Sequence, residues 1–99
     1  MLVHTVLFWL RKDITESDRQ CFFKEVDELR EISCIRDFHM GIPAKTPPRP
    51  VVDDSYDCAI TVTLDNLDAH DEYQLDPLHK SFVDQCSSLW ERVVIYDFE

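Results

Sequence analysis

The chain has 99 residues and a net charge of -10, with twenty acidic residues against ten basic ones. That balance argues against nucleic-acid binding, which needs clustered Lys and Arg, and against anionic membrane surfaces. At 44% hydrophobic and 30% charged, residues 1–99 read as one folded domain rather than a disordered segment.

Leu2 to Leu10 is rich in β-branched and aromatic residues and predicts a first strand. It has no basic leader and no small-residue cleavage site, so it does not read as a signal peptide. Thr15 is placed to cap a helix, with Asp18 three residues on in a capping-box position. Phe22, Val26 and Leu29 then follow at helical spacing, predicting a helix from about 16 to 31. Cys34 to Ile42 predicts the second strand, with Gly41 as bulge or terminator. The proline-rich stretch Pro43–Pro50 reads as a surface loop too short to divide domains. Ser55 to Leu64 predicts the third strand, and 66–74 a short helix. Pro77 suits the first turn of another helix, about 77–88, and Arg92 to Phe98 predicts the last strand.

The four cysteines, at 21, 34, 58 and 86, form no C-x-x-C pair and no zinc spacing. Reduced, packed thiols in a cytoplasmic protein are the expectation. No segment approaches the length of a transmembrane helix.

The order β-α-β-β-α-β predicts an α+β, ferredoxin-like fold with a four-stranded antiparallel sheet and its helices on one face. Strand residues alternate between faces. One set is His4, Val6, Phe8, Phe38, Cys58, Ile60, Val62, Val93 and Ile95. The other is Val3, Thr5, Leu7, Trp9, Ile35, Ala59, Thr61, Val94 and Tyr96. A sheet wet on one face would show a polar second set, and this one is mostly apolar. A homodimer through the face carrying Leu7 and Trp9 is the expected cover.

Three stretches resemble the stress-responsive dimeric α/β-barrel domain family. They are His4-x-Val6-x-Phe8, Tyr73-x-x-Asp76-Pro77-x-His79-x-x-Phe82, and Leu89-Trp90-Glu91-Arg92-Val93-Val94-Ile95-Tyr96-Asp97. The resemblance spans essentially the whole chain. It implies a homodimer whose two sheets pack face to face as a dimeric α+β barrel, with a pocket between sheet and helices. The family includes plant stress proteins, a plant polyketide cyclase and bacterial members of no known activity. In the cyclase a Tyr and a His matching Tyr73 and His79 hold the substrate and act as base. A strand-one His there matches His4, and a strand-three His matches Cys58, where this chain departs.

The residues carry the same idea physically. His79 falls in the first turn of a helix, where the N-terminal amides disfavour its cation, so a neutral imidazole there suits a general base. Tyr73 could hydrogen-bond a substrate oxygen or orient His79, and His4 lies on the helix-facing side of the first strand. Phe23, Val26, Phe38, Cys58, Ile60, Phe82 and Trp90 are candidates to line an apolar pocket, with Arg36 at its mouth. Core packing is the stronger reading for most of these. His70, Asp71, Asp76 and His79 are close in sequence but match no established metal motif, so no metal is assigned. Three readings stay open: a protein binding a small apolar ligand, a cofactor-independent cyclase or isomerase acting on a small carbonyl compound with His79 as base, and a structural stress-related protein with a filled interior.

Overall fold

The computed structural model describes residues 1–99. Its elements are β1 (Leu2–Leu10), α1 (Glu16–Glu28), β2 (Asp37–Gly41), β3 (Cys58–Leu64), α2 (Leu67–Leu75), α3 (Pro77–Cys86) and β4 (Trp90–Phe98). Single 3-10 turns at Leu29–Glu31 and Ser87–Leu89 close α1 and α3. The sheet order is β2-β3-β1-β4, with every neighbouring pair antiparallel. This is the ferredoxin-like arrangement read from the sequence.

Thr15 caps α1 through a full capping box: its hydroxyl accepts from the Asp18 amide, and the Asp18 carboxylate accepts from the Thr15 amide. The Asp57 carboxylate accepts the Leu10 amide at 2.7 Å and faces Arg19 of α1 at 3.5 Å, tying helix to sheet. Alternation along β1 is strict: Leu2, His4, Val6, Phe8 and Leu10 are buried, and Val3, Thr5, Leu7 and Trp9 are half-buried. β3 repeats it, burying Cys58, Ile60, Val62 and Leu64. These residues meet Phe22, Val26 and Leu29 from the α1 segment, and Tyr73, Phe82 and Cys86 from α2 and α3, in one core.

The boundaries differ from expectation where local hydrogen bonds compete with pairing. β2 starts at Asp37, not Cys34, because the chain is still turning there: the Ile35 amide bonds back to the Ile32 carbonyl at 3.3 Å, and the Cys34 thiol bonds the Ala69 carbonyl at 3.5 Å. Ile35 is therefore not a strand residue of the second face. β3 starts at Cys58, not Ser55; Ser55 instead accepts from the Trp9 indole at 3.1 Å. β4 begins at Trp90, earlier than expected, through a register shift opposite Trp9 and Leu10.

Candidate functional site

The site is organised by the break between α2 and α3. Proline disfavours helical geometry in the residue before it, and Asp76 is accordingly extended (φ -61, ψ 138). Asp76 closes α2, its amide bonding the Tyr73 carbonyl at 3.3 Å, and opens α3, its carboxylate accepting the Leu78 amide at 2.9 Å. The kink turns the last turn of α2 and the first turn of α3 toward the same place. Tyr73 and His79 therefore meet edge to face, with ring centroids 4.9 Å apart. His4 reaches Tyr73 from β1 at 5.6 Å, and His70, one turn before Tyr73, stands 5.2 Å from His4.

Asp97 completes the group. It is the register partner of His4 across β1 and β4, so both side chains leave the sheet on the same face. His4 Nδ1 lies 2.5 Å from Asp97 Oδ1, and His70 Nε2 lies 3.9 Å from Oδ2. Donation from Nδ1 to the carboxylate leaves the lone pair of a neutral His4 on Nε2.

These rings border a cavity of about 210 Å³ between sheet and helices. Its apolar wall includes Val6, Phe8, Ile60, Phe82, Trp90 and Val93, and His4, Tyr73, Gln74 and His79 supply the polar edge. A dry apolar cavity of about 150 Å³ is enough for benzene. This one suits a single substituted ring or a short acyl chain. Phe8, Phe82 and Trp90 pack on one another with centroids 5.2–5.9 Å apart, so that wall is rigid.

The two central rings are pushed to opposite ends of their proton affinity. Burial raises the Tyr73 phenol well above its ordinary value, so it is a donor. Tyr73 is almost wholly buried, makes no side-chain hydrogen bond and is one of the residues that line the cavity. Burial lowers the His79 imidazole below its ordinary value, with His4 and His70 adding to the effect and Asp76 opposing it. Removal from water therefore favours the neutral imidazole, the form that accepts a proton.

His4, Tyr73, His79, Ile60, Phe82 and Trp90 are brought together at this cavity. Phe23, Val26, Arg36, Phe38 and Cys58 do not line it. Val26 and Cys58 are fully buried in the core, and burial holds the Cys58 thiol at about 12. Phe23 lies under the Arg19 guanidinium at 5.3 Å, and Phe38 under that of Arg30 at 4.8 Å. Arg36 is turned to Asp65 through two bonds of 2.7 and 3.0 Å, away from the mouth. Sequence reasoning missed Asp97 as a site residue, although its parity with Val93 and Ile95 puts it on the cavity face of β4. It grouped His70 with Asp71, Asp76 and His79, whereas the fold sets His70 beside His4 and Asp97.

A family model, the Stress responsive A/B Barrel Domain, matches residues 2–99. The chain belongs to that family. Among its relatives, olivetolic acid cyclase of Cannabis sativa is 26% identical over 96 residues, covering 96% of this chain and 92% of that protein. A dimeric ferredoxin-like protein of unknown function from Thermobifida fusca superposes with a TM-score of 0.78 at 19% identity, covering 98% of this chain and 88% of the other. A family protein with a ferredoxin-like fold from Mesorhizobium loti gives 0.78 at 21% identity, covering 99% and 94%. The proteins this chain is similar to thus include an enzyme and one of unknown function, and activity has to be argued from the site.

Proposed function

We propose that this A/B barrel protein is a cytoplasmic homodimer that binds a small, largely apolar carbonyl compound in each subunit's cavity and moves a proton on it. The observation that carries this reading is the meeting of the Tyr73 and His79 rings, with centroids 4.9 Å apart, at the edge of one apolar cavity. His79 takes a proton from the carbon next to the carbonyl. Tyr73 donates its hydroxyl to the oxygen as charge develops there, and His4, held by Asp97, orients that oxygen. Cyclisation or isomerisation follows from the same enolate without a cofactor. The cyclase relative supports the reaction class, and Cys58 in place of a strand-three His separates this chain from it.

Dimerisation is supported by the half-buried apolar face of Val3, Leu7 and Trp9 and by the dimeric T. fusca neighbour. Cytoplasmic location is supported by four unpaired cysteines. No helix is long and apolar enough to cross a membrane.

The apolar wall equally favours a second reading, binding without turnover. Hydrogen–deuterium exchange at the acidic carbon of a small aryl 1,3-diketone separates the two. The proposal expects the wild type to accelerate exchange, and His79→Ala to lose that acceleration by about 10²–10⁴-fold while still binding the compound. Binding by the wild type with no acceleration leaves a binding protein. No binding by either protein removes the cavity from the function.

A further inference from the structure

We propose that His4, His70 and Asp97 form a three-ligand site for one divalent transition-metal ion of the zinc class. One ring nitrogen from each histidine and one carboxylate oxygen lie within 4.8 Å of one another. They come from β1, α2 and β4, three elements fixed by register and core packing rather than by a mobile loop.

The distances fit closure around an ion. Zinc–nitrogen and zinc–oxygen bonds of about 2.0–2.1 Å in a tetrahedron set donor atoms about 3.3 Å apart. Here His4 Nδ1 is 2.5 Å from Asp97 Oδ1, His70 Nε2 is 3.9 Å from Oδ2, and one donor atom from each of the three residues lies within 4.8 Å of the others. Closing on one ion therefore requires His70 and Asp97 to rotate so that a single carboxylate oxygen and both ring nitrogens draw together. The His70 side chain (21% exposed) and the Asp97 side chain (41%) have room to make such rotations, whereas His4 (3%) is the fixed anchor.

A second observation concerns ring orientation. His70 Nδ1 faces Asp71 Oδ1 at 3.5 Å while its Nε2 faces Asp97. Metal-bound histidines characteristically hand their other nitrogen to a carboxylate in this way, which fixes the tautomer and raises the basicity of the ligating atom. Two imidazoles and one carboxylate favour zinc, cobalt, nickel or copper over magnesium or calcium, which take oxygen donors. Three protein ligands leave further coordination positions for water or a ligand atom. Ligation through His4 Nδ1 would displace the Nδ1 proton from the Asp97 bond to Nε2, so a neutral His4 needs no net proton release to bind the ion. His79 is not a ligand, but His4 and Asp97 are shared with the proton chemistry proposed above, so a bound ion would replace their hydrogen bond at the edge of the cavity.

The test is a titration of untagged protein with Co²⁺, followed by absorption, and with Zn²⁺, followed by calorimetry. The expected result is one ion per chain and nitrogen- and oxygen-ligated cobalt bands. His70→Ala and Asp97→Asn, each checked for an unchanged fold by circular dichroism, should weaken binding by about tenfold or more. His39→Ala should leave binding unchanged, because that exposed ring pairs with Asp37 on β2. Three results overturn the proposal: no micromolar binding by wild type, equal affinity in His70→Ala, or a thiolate charge-transfer band showing cysteine ligation.

Discussion

Tyr73 and His79 derive their opposite proton affinities from one cause, removal from water, acting on an acid and on a base. The Tyr73 hydroxyl has no protein partner, so Tyr73→Phe should change stability by less than about 1 kcal/mol. The same change should slow exchange on the diketone. A large drop in the denaturation midpoint would instead show that the hydroxyl is tied into the fold. For His79 the sign of the pH effect follows from its lowered folded-state value. The unfolded chain takes up a proton at this ring near pH 6.5, before the folded chain does. Stability is therefore unaffected by His79 above that pH, and falls as pH drops from there toward the folded-state value. An NMR titration should place the His79 ring below a free histidine, and the stability loss across that window should shrink in His79→Gln. A midpoint at or above the free value would contradict the neutral-base role.

At the scale of elements, the junction of α2 and α3 carries the site. Asp76→Ala removes the carboxylate that caps α3 and should cost about 1 kcal/mol. Thr15→Ala removes the comparable cap of α1. Equilibrium unfolding should show similar losses for the two, but only Asp76→Ala should also weaken ligand binding, since only that cap aligns His79. Equal ligand affinity in both variants would show that the junction does not position the ring. Much of this level was legible in the sequence. Period-two alternation on β1 named its buried residues, Pro77 named the start of α3, and the Thr15–Asp18 spacing named the capping box. Strand ends were misread because Ile35 and Ser55 satisfy their polar groups in a turn and with Trp9, which composition does not reveal. The site was legible only in part. His4, Tyr73 and His79 stood out by residue type, whereas the pairing of His4 with Asp97 depends on a register between strands 93 residues apart. Phe38 and Phe23 were indistinguishable from lining residues until their positions beneath arginines were known.

At the scale of the molecule, one sheet separates two tasks. The face carrying Val6 and Phe8 meets the helices and holds the cavity, and the face carrying Leu7 and Trp9 is the one proposed to meet the partner. Trp9 is half-buried, with the Arg92 guanidinium 4.3 Å over its ring, an edge contact with Tyr56 and its indole N–H donated to Ser55. Trp9→Glu would bury a charge in the proposed interface. Light scattering at micromolar concentration should give twice the mass of the single chain for wild type and a shift toward one chain for the variant. A wild-type monomer would remove the dimer from the account. The central claim is that the cavity presents one phenol and one imidazole to a bound carbonyl compound. The most direct measurement is a crystal structure of the protein with a small aryl 1,3-diketone. The account predicts a carbonyl oxygen within about 2.6–3.2 Å of the Tyr73 hydroxyl and the acidic carbon facing His79. A compound seated elsewhere, or a cavity closed by its own side chains with the compound excluded, would contradict it.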